Sequence, residues 1–162
     1  MRNVIAMVVA LTLLAASPGA LGSASPAHGL EWAESILVQY LDGLAAGEYA
    51  ACAKYVSDNS WAVLRSWNPT KEIADSTGLL GAGCRGNGLK FLSVRTVAHG
   101  EDLGGCRFQF QVTFNNADGS QFVRGPCCGA TAEQTPPDSV FAYTVIDRLG
   151  RIEIAELPPY VP

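Results

Sequence analysis

The sequence predicts an α+β domain, with helices first and an antiparallel sheet after them. Two observations carry this reading. Apolar residues recur at three- and four-residue steps over Leu30 to Ala46, and residues alternate strictly over Cys106 to Phe114. The order of elements is a third: helices, then strands, with no repeated strand–helix–strand unit. The composition suits one modest globular domain of 162 residues, with 48% hydrophobic, 16% charged and a net charge of −4. Too apolar for a disordered chain, the protein is also acidic, with a pI of about 5.1, which argues against a nucleic-acid partner.

Residues 1–24 read as a secretory signal peptide. Arg2 precedes an apolar run from Val4 to Ala16 that only Thr12 interrupts; Ser17-Pro18-Gly19 breaks it, and small residues lead to a cut after Ala24 or Ala27. The run is shorter than the about 18 apolar residues a membrane span needs, and no later stretch approaches that length. The expected product is secreted, periplasmic or otherwise extracytoplasmic, with a single domain over 28–162 and no span after cleavage.

Leu30 to Ala46 is the first helix, with Leu37, Tyr40, Leu41 and Leu44 on its stripe, Glu31 and Glu34 in its first turn and Gly47 as its stop. A second helix is expected from Glu48 to about Ser57. Asp58-Asn59-Ser60 is turn chemistry. Trp61 to Trp67 reads as a short strand or as a helical turn. Thr70 to about Leu80 is a weaker helix with Thr70 as its N-cap. Two to three helices therefore precede a meander of four to six strands. Leu89 to Ala98 is rich in strand formers. Cys106, Phe108, Phe110, Val112 and Phe114 face one way, and Asp118-Gly119 marks a turn before a short strand over Gln121 to Arg124. A Pro-containing loop spans Gly125 to Asp138. Ser139 to Asp147 and Arg151 to Leu157 then form a hairpin across Arg148-Leu149-Gly150. The tail from Leu157 to Pro162 cannot continue a ladder and reads as an extended segment anchored by Tyr160.

Tyr40-Leu41-Asp42-Gly43-Leu44-Ala45-Ala46-Gly47-Glu48-Tyr49-Ala50-Ala51 resembles the opening helix pair of the nuclear transport factor 2-like superfamily, the ketosteroid-isomerase-like and polyketide-cyclase-like α+β domains. Asp58 falls near the turn where members carry an Asp, and the closing hairpin through Asp147, Gly150 and Ile152-Glu153-Ile154 is similar. The resemblance implies a cystatin-like cone: a curved sheet wrapped around the first helix, with a pocket at the open end. It also implies small apolar ligands or assembly roles, and in some members a homodimer through the outer sheet face.

The chemistry on offer is sparse. Of two histidines, His28 lies beside the cleavage site and His99 at a strand end. Asp58 is the candidate catalytic carboxylate by family position; a turn or cap residue is its plainer role. Tyr40, Trp61, Trp67, Phe108, Phe110 and Tyr143 are candidates to line an apolar pocket, or simply to fill the core. Gly81-Ala82-Gly83-Cys84-Arg85-Gly86 matches G-x-G-x-x-G, but it lies between a helix and a strand, the reverse of a dinucleotide site, and reads as a flexible loop. No metal or other cofactor is implied, because Cys127-Cys128 are adjacent and no His cluster accompanies them.

In an exported chain, disulfides are the natural use of Cys. If Phe114 faces Gln121 in the meander, Cys106 falls opposite position 129, next to Cys127 and Cys128. A bridge from Cys106 to one of them is expected, with Cys52–Cys84 as a second pair; the fifth Cys is left over, or the vicinal pair closes on itself. The expected function is noncatalytic binding of a small apolar molecule or an envelope protein. The alternative is an isomerase, cyclase or dehydratase with a cone-buried carboxylate.

Overall fold

The computed structural model describes residues 28–72 and 74–162; the expected signal segment, 1–24, lies outside them. Four α-helices precede a four-stranded antiparallel sheet, whose order β1-β2-β3-β4 follows the chain. The helices are α1 (Leu30–Ala45), α2 (Tyr49–Cys52), α3 (Asp58–Trp67) and α4 (Ser76–Gly86), with a 3-10 turn at Ala53–Tyr55. The strands are β1 (Val94–Gly104), β2 (Arg107–Phe114), β3 (Phe141–Arg148) and β4 (Arg151–Ile154).

α1 forms as its stripe dictates. Ala33, Leu37, Tyr40, Leu41 and Leu44 are buried, and Gly47 ends the helix at φ +80°, a conformation that suits a residue without a Cβ. The second helix is much shorter than expected. It tightens at Ala53–Tyr55, and Val56 then turns extended to make a parallel bridge with Ile154, backed by a Ser57 N–H to Ile154 O bond of 3.3 Å. β-branched Val56 is better used in that pairing than in a helical turn.

Trp61 to Trp67 is helical. Ser57 caps α3, its Oγ accepting the Ser60 N–H at 3.2 Å, and burial of Ser60 and Leu64 follows the four-residue step. The Thr70 cap does not occur. α4 starts at Ser76, where the Asp75 carboxylate accepts the Gly78 N–H at 2.9 Å. A Cβ on Gly78 would strike that carboxylate. α4 also swallows the segment Gly81 to Gly86 that the sequence reads as a loop. Packing decides this: Gly83 is buried, and a Cβ there would lie 2.9 Å from both Leu64 Cδ2 and Leu89 Cδ1. Each interior glycine costs a helix about 1 kcal/mol, and burying Leu79 and Leu80, at about 1.5–3 kcal/mol each, offsets the cost of Gly78, Gly81 and Gly83.

The sheet rests its inner face on α1. On β2, Phe108, Phe110, Val112 and Phe114 are buried, as the alternation requires. On β3 and β4, Phe141, Tyr143, Val145 and Ile154 complete the core. β1 begins later than expected, at Val94, whose N–H the Asp42 carboxylate accepts at 2.9 Å. Its pairing with β2 slips at three places, around Arg95, His99–Gly100 and Leu103, and His99 takes φ +51°. Gly100 lets the strand approach closely: a Cβ there would lie 2.9 Å from the Phe110 ring.

The meander register differs from the expected one. Gln121 makes a single bridge with Asn115, and Arg124 one with Asp138, so no strand forms over Gln121 to Arg124. β2 instead pairs with β3, from Arg107 opposite Ile146 to Val112 opposite Phe141. Cys106 therefore faces Asp147, whose N–H donates to Cys106 O at 2.9 Å, and not Cys127 or Cys128. The β3–β4 hairpin turns at Leu149-Gly150 as read from sequence.

Candidate ligand cleft

After β4 the chain leaves the ladder and returns to the segment that follows α4. Lys90 N–H donates to Pro159 O at 2.8 Å, and Val161 N–H to Gly88 O at 2.9 Å, around an antiparallel bridge between Leu89 and Tyr160. The prolines at 158 and 159 lack donors, and neither bond asks them for one. Gly88 stands at φ +87° with Val161 O so close that a Cβ has no room. Tyr160, the expected anchor, stays exposed with its ring 5.6 Å from that of Trp67, and the buried residues of the tail are Pro158 and Pro159.

This crossing walls a cleft of about 520 Å³. Trp67, Tyr143 and Tyr160 supply aromatic surface, and Gln111, Arg124 and Glu156 supply polar groups. Arg124 is tied to Asp138 at 2.8 Å and lies 5.3 Å from the centre of the Phe141 ring. Glu156 takes over where the β3–β4 ladder stops: its carboxylate accepts the Thr144 N–H at 2.6 Å and the Thr144 hydroxyl at 2.9 Å.

Behind this wall two phenols are buried with no hydrogen-bond partner among the described residues, Tyr40 Oη and Tyr143 Oη. Burial pushes both phenols well above the ordinary tyrosine value, and the Glu156 charge adds to the rise in each. Arg124 pulls the other way on Tyr143, so this phenol feels two of the three charged residues that line the cleft. Buried hydroxyls nearly always find partners, so a pair without them is informative.

The expected site residues scatter. Tyr143 and Trp67 share the cleft, but Tyr40, Phe108 and Phe110 are closed into the core, and Trp61 packs half-buried at its edge. Asp58 stands at the surface, at the start of α3, its carboxylate 2.7 Å from Arg151. The hydrogen bond and charge of Arg151 hold it below the usual carboxylate range. It is not a cone-buried carboxylate. Arg151 reaches on to Glu153 at 3.3 Å, and Arg148 meets Glu153 at 3.0 Å. His28 stacks on Trp32 with ring centres 4.0 Å apart, and His99 is exposed. Among the described residues no group of three or more His, Cys, Asp or Glu could hold a metal ion.

All five cysteines are free thiols. Cys52 is buried, its Sγ donating to Tyr40 O at 3.4 Å, and Cys84 sits half-buried on α4, so the Cys52–Cys84 bridge is not formed. Sequence reasoning missed Gln111, Arg124 and Glu156. They carry no motif and meet only because the loop after β2 and the tail return to the same sheet end. No family model, curated protein or solved structure matches this chain.

Proposed function

We propose that the chain is an exported, noncatalytic binding domain of the nuclear transport factor 2-like type, taking a small, mainly apolar ligand in the cleft beneath its tail. The observation that carries this is the lining of the cleft, where Trp67 and Tyr160 stand beside Gln111, Arg124 and Glu156. An aromatic wall with a few convergent polar groups is the usual make-up of a small-molecule site. The helix-then-meander order and the bulges of β1 support a curved, cone-like sheet. Asp58, the carboxylate named for the isomerase or cyclase alternative, stands at the surface, and the carboxylates that line the cleft are already engaged, Glu156 by Thr144 and Asp138 by Arg124.

The ligand class follows from the lining: an aromatic or alicyclic body for Trp67 and Tyr160, with a carbonyl or similar acceptor for the Gln111 amide. Thermal-shift screening with small cyclic ketones and aromatic acids tests it. A hit is expected to stabilise the domain. Its affinity is expected to fall roughly fivefold in Gln111→Ala, the worth of about 1 kcal/mol for one hydrogen bond. Binding unchanged in both Gln111→Ala and Trp67→Ala would overturn the assignment.

A further inference from the structure

The loop between Arg124 and Asp138 carries Cys127 and Cys128, both exposed, with their sulfurs 2.9 Å apart. Cys128 and Gly129 both take positive φ, +60° and +85°, so the backbone folds tightly at the pair. Cys127 and Cys128 share a recess of about 360 Å³ with Pro126, Thr135 and the tail residues Tyr160 and Val161. The other three thiols are placed differently. Cys52 is buried, while Cys84 and Cys106 are half-buried on α4 and in the β1–β2 turn.

We propose that Cys127 and Cys128 are a redox-labile modification site, which a small-molecule disulfide closes into a vicinal disulfide and a thiol reopens. The Cys127 thiolate attacks one sulfur of the oxidant, breaking its S–S bond, releasing one thiolate and leaving a mixed disulfide on Cys127. Cys128 then gives up its proton, attacks the Cys127 sulfur and expels the second thiolate. Two cysteine thiols lose two electrons, the oxidant becomes two thiols, and the two protons end on those thiols. The hydrogen bond and charge of Cys127 push the Cys128 thiol above its ordinary value, which suits Cys128 to the second, resolving step.

Adjacent Cα atoms lie about 3.8 Å apart across a trans peptide, inside the about 4.4 Å at which relaxed disulfides begin. Such a ring opens to mild reductant, and it acts as a switch rather than as a staple. Because the recess shares Tyr160 with the ligand cleft, closure would stiffen the loop against the tail that walls that cleft.

The test uses the full chain and oxidised glutathione, followed by alkylation of the unfolded protein and peptide mapping. Two of the five thiols should be lost, within one peptide lighter by two hydrogens. Dithiothreitol should restore them. Cys106→Ser and Cys84→Ser should lose the same two thiols, while Cys127→Ser and Cys128→Ser should each stop at a glutathione adduct on the remaining cysteine. The proposal is overturned if both cysteines stay open to alkylation, if both carry glutathione, or if either is found bridged to Cys52, Cys84 or Cys106.

Discussion

Tyr40 and Tyr143 bury hydroxyls that bond to nothing among the described residues. A buried donor without a partner costs about 1–3 kcal/mol. Tyr40→Phe removes one such group without leaving a cavity and is expected to raise stability by about 1 kcal/mol in urea unfolding; a loss of stability would mean that the hydroxyl is already satisfied. Asp58 behaves in the opposite sense. Arg151 depresses its carboxyl pKa in the folded protein, so the pair's contribution is complete above the unfolded carboxyl value of about 4 and is lost as pH falls through the lower, folded value. NMR titration should place the Asp58 carboxyl below its usual range and return it there in Arg151→Gln.

At the scale of elements, the cap of α4 offers a clean discrimination. Asp75→Ala should cost about 1 kcal/mol, because its carboxylate accepts the Gly78 N–H, while Thr70→Ala should leave stability unchanged. Equal effects would contradict the observed start of the helix. The sequence made some elements legible and hid others for physical reasons. α1, β2 and the β3–β4 hairpin show through because one face of each is buried, which imprints its period on the residues. The second half of α4 was illegible because the close contacts of position 83 with Leu64 and Leu89 select glycine, the residue that ordinarily signals a loop. Asn68-Pro69 and the turn residues after it drew the expected start of that helix too early. The pairing of Cys106 failed for a further reason: the loop from Gly125 to Asp138 is skipped by the ladder, and only contacts distant in sequence decide which strand lies next to β2. For the same reason the aromatic half of the cleft was partly visible, in Trp67 and Tyr143, and its polar half was not.

The molecule as a whole depends on its tail returning to Leu89. Gly88→Ala puts a Cβ against Val161 O at a left-handed position and is expected to cost about 1–3 kcal/mol while weakening any cleft ligand. A variant that loses stability and keeps full affinity would show that the tail is not a wall of the site. The β1 edge of the sheet carries a different lesson. β1 is an eleven-residue outer strand, long enough to recruit a strand from another molecule. Its three register slips and the left-handed His99 throw its outward amides and carbonyls out of line, and Glu101 and Asp102 add charge. The irregularities that bend β1 onto β2 thus also guard against amyloid-like growth, and a concentrated solution of the domain should stay free of thioflavin-positive fibrils.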